Sequence, residues 1–166
     1  MAGKPTTAFD VAQRLLGIHA LPGPAAQPFI AWALSLVGQP SSDEVPHCSA
    51  FVYAIAYLMG LPRPLELPGL ARAWLLVGEE VALADAQPGF DVVIFKRGQG
   101  AQPPASVIQA PGHVALFSLA EKFDPLHDEI KSVRVLGANQ GAQHAVSYSS
   151  FPVTQVLGVR RLWDGT

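Results

Sequence analysis

Hydrophobic residues follow two different spacings along this chain, a helical one in the first half and a strand-like one in the second. In residues 7–18 the apolar side chains of Phe9 and Val11 lie near one helical face, and Gly17 is a typical helix stop. Three further apolar runs predict a second, a third and a short fourth helix, over residues 28–37, 48–59 and 70–78. The third run is apolar almost throughout, so we expect that helix to be central.

The second half of the chain has short segments rich in β-branched and aromatic residues, with turn residues between them. Five such segments predict strands, over residues 91–97, 113–119, 132–139, 144–150 and 155–162. Helices followed by closely spaced strands predict an α+β fold with an antiparallel sheet of about five strands. We expect one domain over residues 1–166, with a helical part over about 8–78 and a sheet part over about 90–163.

Composition narrows the classes of function. Hydrophobic residues make up 49% of the 166 positions and charged residues 14%, which is typical of a compact globular protein. The formal net charge of −2 favours no polyanion-binding surface, so we expect no nucleic-acid partner. The apolar run over 29–37 is far shorter than the roughly 20 residues that a bilayer requires, so we expect no membrane partner.

Cys48 is the one cysteine of the chain, which excludes an intramolecular disulfide and a zinc site built on several cysteines. We expect no metal and no cofactor. In the stretch DEVPHCSAFVYAIAYLMG, Cys48 comes shortly after Val45-Pro46 and opens the predicted third helix. Free N–H groups at a helix N-terminus stabilise a thiolate and an oxyanion, so this position suits a nucleophile. A cysteine that packs as a small buried hydrophobe is the alternative interpretation.

A nucleophilic cysteine needs a histidine that accepts and returns its proton. Of the five histidines, His113 is the best candidate, because PGHVALF places it after a glycine turn and at the first residue of an apolar strand. His144 also starts a predicted strand and is its main rival. His19 and His127 lie in loop-like contexts and are interpreted as surface residues. His47 adjoins the cysteine, but consecutive side chains point in different directions, so we do not expect its ring to be the base.

A third group usually orients the histidine in Cys–His hydrolases. The segment VLGANQG supplies Asn139 and Gln140 at the end of a strand that we expect beside the His113 strand. A turn residue before Gly141 is the simpler interpretation of Asn139. Asp91 is a further candidate, although it opens a strand, where capping and turn roles are common.

Taken in order, the motifs PHCSAFV, GLARAW, DVVIFKR, PGHVALF, VLGANQG and VLGVRR resemble the NlpC/P60 and CHAP group of papain-like cysteine peptidases and amidases. A small bacterial and phage subgroup has a similar cysteine helix start, Gly-His-Val strand, Asn-Gln strand end and closing Arg-Arg. The resemblance covers nearly the whole chain. Type VI secretion amidase effectors resemble the same fold.

The resemblance implies a papain-like NlpC/P60 fold, with a helical N-terminal half packed on the antiparallel sheet. It implies Cys48 as the nucleophile and His113 as general base and acid. It implies Asn139 as the residue that orients the histidine, and Gln140 as the alternative for that role. The implied activity is thiol-dependent hydrolysis of amide bonds in the peptide stems of peptidoglycan, as in cell wall degradation.

The N-terminal segment has no continuous apolar stretch or small-residue cleavage site, so it does not predict a signal peptide. We expect synthesis in the cytoplasm and action in the periplasm or cell wall after export or lysis. Delivery as a toxin would add an immunity protein as a partner, beside the peptidoglycan fragment or stem peptide that serves as substrate. Two other functions stay open: a papain-like thiol hydrolase or transferase for a non-wall amide or acyl substrate, and a non-catalytic binding module on the same fold.

Overall fold

The computed structural model of the protein describes residues 5–21, 26–42, 45–122 and 129–164. The α-helices in these ranges are α1 (Ala8–Gln13), α2 (Pro28–Leu36) and α3 (Cys48–Leu58). The strands are β1 (Glu79–Val81), β2 (Asp91–Lys96), β3 (Gly112–Lys122), β4 (Ile130–Gln140), β5 (Ala145–Pro152) and β6 (Val156–Arg161). Short 3₁₀ helices cover Ala71–Leu76, Leu83–Asp85 and Val153–Gln155.

One antiparallel sheet contains all six of these strands, in the order β1-β6-β2-β3-β4-β5. The two middle strands are β2 and β3, and β2 pairs with β6 on its other side. An α+β fold with an antiparallel sheet is therefore confirmed.

Strand alternation divides the apolar residues of the sheet between two cores. On β2, Val92 and Ile94 face one cluster, whereas Val93 and Phe95 face the other. All four are fully buried, because a central strand is covered on both faces. We call the cluster that contains Val92 and Ile94 the helix-side core, since α3 packs on it, and the other one the far-side core.

Helix α3 is the central helix that its apolar sequence predicts. Eight of its residues are buried, and its Phe51, Val52 and Ile55 enter the helix-side core. Burial of one such side chain contributes about 1.5–3 kcal/mol, so this face fixes α3 against the sheet. Its other flank packs on α2 through a smaller apolar cluster that contains Ala50 and Ala54.

The two longest strands, β3 and β4, separate near the N-terminal end of β3. Their paired register starts at Leu116↔Leu136, so His113 and Val114 precede the ladder. Just beyond it the strands still lie close, since a Cβ added to Gly137 would stand 2.6 Å from the Ala115 side chain. The backbone of Val114 is consequently open on its β4 side to another partner.

Several boundaries differ from the predictions. The sheet has six strands instead of about five, because the short β1 pairs with the end of β6 and begins well before residue 90. The predicted fourth helix is a 3₁₀ helix, Ala71–Leu76. The first helix ends at Gln13, and turns continue from there to Gly17. Among the described helices, none combines the length and the apolar character that crossing a membrane requires.

Candidate active site

Helix α3 begins at Cys48, and several contacts fix this helix start. The ring of His47 lies between two backbone carbonyl oxygens, those of Val45 and His144, each 3.2 Å away. The hydroxyl of Ser49 donates to the carbonyl of Pro68 at 2.8 Å and accepts from the Trp74 indole at 2.9 Å. His47 is thus a structural residue, and its contacts tie the helix start to the turn between β4 and β5.

The Cys48 side chain is 4% exposed and lines the floor of a groove of about 920 Å³. Burial raises the pKa of its thiol above the usual value of 9.0. Three neighbouring groups lower that pKa, but by less than burial raises it. They are the backbone of Val114, the charge of Arg97 and the backbone of Ser49 in the first turn of α3. At neutral pH the thiol is therefore protonated, in surroundings that include groups able to stabilise a thiolate.

His113 is the second residue of β3 and is 5% exposed. Its ring packs on the far-side core. The centroid of the ring lies 6.2 Å from the Phe95 ring centroid and 5.2 Å from the Phe151 ring centroid. Burial lowers the pKa of His113 to about 4, with a further lowering by the charge of Arg97 and a rise from the Gln140 side chain. The imidazole is consequently neutral at pH 7.

Val114 directly follows His113 on β3, but the two reactive groups meet this part of the strand from different faces. Cys48 belongs to the helix-side core, whereas the His113 ring packs on the far-side core. The backbone of Val114 hydrogen-bonds the Cys48 thiol, and His113 is the residue immediately before it. The two side chains line neighbouring pockets, the groove of about 920 Å³ and a second pocket of about 360 Å³. Arg97 lines both pockets, and its charge acts on both groups.

Gln140 is the amide that acts on the ring of His113. Its Nε2 donates to the backbone carbonyls of Gly137 and Ser147, at 2.7 and 2.6 Å, so both of its hydrogens are used. The Oε1 atom is buried without a hydrogen-bond partner, and so is Nε2 of His113. With its nitrogen fixed in this way, Gln140 can present only an acceptor to the ring, which favours a proton on the ring nitrogen that faces it.

Asn139, the orienting residue that the resemblance implies, has a different contact. Its Oδ1 lies 2.8 Å from Nδ1 of His144, and its backbone has a φ of 60°. This left-handed residue lies at a register shift between β4 and β5, from Gly137 to Gln140. The shift explains why Gln140, and not its neighbour, interacts with His113.

The remaining candidates lie away from the thiol. Both Asp91 oxygens accept from Arg161 at 2.8 Å, and one also accepts from the backbone N–H of Gln87, so this buried carboxylate fastens β2 to β6. His144 is exposed, and His19 is exposed with its Nδ1 2.9 Å from the Gly17 carbonyl. His127 lies outside the described residues. Within the described ranges, no three His, Cys, Asp or Glu side chains form a metal-binding group.

Two arginines, Arg72 of the GLARAW motif and Arg97 of the DVVIFKR motif, shape the site, although the sequence analysis assigned no role to either. Arg97 lies at the mouth of both pockets, directly after β2. Arg72 is fully buried, and its guanidinium donates to four backbone carbonyls of the loop between β2 and β3. That loop ends at Pro111, which lines the groove together with Gly112, the first residue of β3. A Cβ at Gly112 would lie 2.9 Å from Cγ of Arg72, so only glycine suits this approach.

Acid is expected to destabilise the protein through His113. Unfolding restores its ordinary pKa of 6.5, so the unfolded chain binds a proton between pH 6.5 and about 4 that the folded chain does not bind. This contribution to stability is complete above pH 6.5 and falls as the pH drops towards 4, by about 3 kcal/mol in all. Urea unfolding at pH 7 and pH 4.5 would measure it in the wild type and in a His113→Phe variant. Equal acid sensitivity of the two proteins would contradict a buried neutral His113.

Comparison with protein-family models gives no match. A search of curated protein sequences also returns no relative.

Proposed function

We propose that the protein is a cysteine hydrolase that cleaves amide bonds in the peptide stems of peptidoglycan, with Cys48 as nucleophile and His113 as base. The single observation that carries this proposal is the position of the Cys48 thiol. It lies at the start of α3, lines a groove, and is hydrogen-bonded by the backbone of Val114, the residue after the buried neutral His113. The order of motifs that resembles the NlpC/P60 and CHAP group supports a papain-like version of the α+β fold. Gln140 takes the orienting role in this proposal.

The chemistry follows the acyl-transfer route of thiol hydrolases. His113 takes the thiol proton while the sulfur of Cys48 forms a bond to the amide carbonyl carbon. Backbone N–H groups of the first turn of α3 and of Val114 lie around the sulfur, where they stabilise the negative oxygen of the tetrahedral intermediate. The carbon–nitrogen bond then breaks, and the imidazolium gives its proton to the leaving amine. Water attacks the thioester with His113 again as base, which releases the acid and restores the thiol.

The resting pair is neutral in this mechanism. The pKa of the thiol is raised and that of the imidazole is lowered to about 4, so a thiolate–imidazolium pair does not form before substrate binds. Proton transfer accompanies attack, and Arg97 stabilises the negative charge that develops on sulfur. Activity should therefore persist down to about pH 4, where His113 becomes protonated.

A non-catalytic binding module is the second candidate. The 4% exposure of Cys48 and the raised pKa of its thiol favour it, since both are typical of a packing cysteine. Iodoacetamide labelling would show a slow reaction in either case, so labelling does not separate the two functions. Turnover does.

The test is a digest of purified muropeptides followed by mass spectrometry. New peptide ends with one added water at a stem amide are expected with the wild-type protein. None are expected with Cys48→Ala, whose fold should be checked by circular dichroism. No new ends from either protein would contradict the wall substrate. Products formed equally by both proteins would contradict Cys48 as the nucleophile.

If such activity is found, it raises the question of delivery. Peptidoglycan lies outside the cytoplasm, so the proposed site of action is the periplasm or cell wall, reached by export or lysis. A toxin of this kind would need a cognate immunity protein that occupies the groove in the producing cell.

A further inference from the structure

The pocket of about 360 Å³ beside His113 is separate from the groove that Cys48 lines. It lies where β2, β4 and β5 end near one another. The residues that give it its chemistry are Lys96, Arg97, His113, Asn139, Gln140 and Ser149. Two of these are cations, and no carboxylate is among the described residues that line the pocket.

The cations have few partners within the described part of the chain. Nζ of Lys96 reaches the Thr154 carbonyl at 3.4 Å, which is a long contact, and the Arg97 side chain is exposed beyond the end of β2. Glu121 is held by the hydroxyls of Ser132 and Ser150, and Ser150 also lines the pocket. Positive charge at this pocket is therefore not neutralised from within the described fold.

One hydrogen-bond donor among the residues that line this pocket has no partner. Nδ2 of Asn139 is buried without a partner, since only the oxygen of this amide is engaged, by His144. The hydroxyl of Ser149 adds a further donor to the lining. Cations and amide donors that surround a small pocket are the groups that bind a carboxylate.

The mechanism decides which half of the substrate would reach this pocket. His113 must protonate the leaving nitrogen, so the amine half of the substrate has to lie on the imidazole side of the sulfur. The acyl half then occupies the groove on the other side, whose described lining is apolar apart from Arg97 and two glutamines, Gln39 and Gln109.

We infer that the pocket beside His113 binds a free carboxylate on the amine half of the substrate, with Lys96 and Arg97 as its cationic contacts. This inference rests on the proposed function and deepens it, because it names the chemistry required next to the scissile bond. The volume of about 360 Å³ accommodates one amino-acid residue. Lys96 is then a specificity residue that lines this pocket and not the groove of Cys48.

Two forms of one peptide test the inference: L-Ala-γ-D-Glu-L-Lys with a C-terminal carboxylate, and the same tripeptide with a C-terminal carboxamide. Cleavage of the last bond places the terminal lysine in the amine half. The wild type should cleave the carboxylate form with a kcat/KM about tenfold or more above that of the carboxamide form. Lys96→Met should remove most of this preference, by raising KM more for the carboxylate form than for the carboxamide form.

Lys131→Met is the matched control, because Lys131 is an exposed lysine that pairs with Glu129. Its kinetics should equal those of the wild type on both peptides. Equal cleavage of the two forms by the wild type, or an equal loss on both forms in Lys96→Met, would overturn the carboxylate pocket and leave the hydrolase intact. Absence of cleavage of both forms would overturn this pocket assignment, and the muropeptide digest then reports separately on the hydrolase.

Discussion

Replacing Cys48 by serine is expected to lower kcat/KM on a stem peptide by at least roughly 1,000-fold, although the two side chains are nearly equal in size. An alcohol is a far weaker acid than a thiol, and the base available here is weak, because burial and Arg97 lower the pKa of His113 to about 4. Such an imidazole cannot remove a hydroxyl proton at a useful rate. The surrounding contacts at the start of α3 involve His47 and Ser49, so the fold should persist.

The measurement pairs peptide kinetics with circular dichroism and the melting temperature of each variant. Histidine variants provide the matched comparison: His113→Gln should fall nearly as far as Cys48→Ser, whereas His144→Gln should keep most of the activity, because the His144 ring contacts Asn139 and not the thiol. A serine variant with more than a tenth of wild-type activity would exclude the sulfur as the attacking atom. If His144→Gln were inactive and His113→Gln active, the base would be His144 and the assignment to His113 would be wrong.

The second large effect concerns stability: Arg72→Met should reduce the free energy of unfolding by about 3–5 kcal/mol. Nε of Arg72 donates to the Pro111 carbonyl at 2.9 Å, and Nη1 donates to the carbonyls of Pro103, Pro104 and Val107 at 3.0, 2.9 and 3.2 Å. Methionine fills a similar volume but offers no donor. Four carbonyls that this buried side chain now satisfies would then lose their partner.

The same loop forms a wall of the groove, so Arg72→Met should also lose activity. Urea unfolding gives the free energy, and limited proteolysis of the loop between β2 and β3 reports on its local order. Arg63→Met is the control, since Arg63 donates to one carbonyl and lies over Tyr53 and Tyr57 at a half-buried position. Its loss should stay within about 1 kcal/mol. A loss as small as this in Arg72→Met would contradict the anchoring role of Arg72.

Acidic residues illustrate why a sequence pattern can suggest the wrong chemistry. Asp91 opens a strand and, from the sequence, is a further candidate for the group that orients the histidine. The structure shows its two oxygens paired with Arg161, which is 70 positions away along the chain. A partner so distant in sequence has no local signature, and its position beside the buried Asp91 follows from the pairing of β2 with β6.

The sequence by itself determined the parts of this protein that depend on neighbouring residues. A proline followed by a continuous apolar run predicts a helix start at Cys48, and α3 begins there. A glycine turn before a continuous apolar run predicts a strand at His113, and β3 begins at Gly112. The α+β class follows from the order of these elements. Each of these predictions depends on periodicity and turn residues, which act over a few positions.

Only the tertiary structure decided which amide meets the histidine and which cations surround it. One left-handed residue, Asn139, shifts the register at the end of β4, and such a shift reverses which side chains face each side of a sheet. Neither its presence nor the convergence of Arg72 and Arg97 on this end of the sheet has a local sequence pattern. The physical reason is that strand register and the burial of a charge depend on partners that only folding brings into contact.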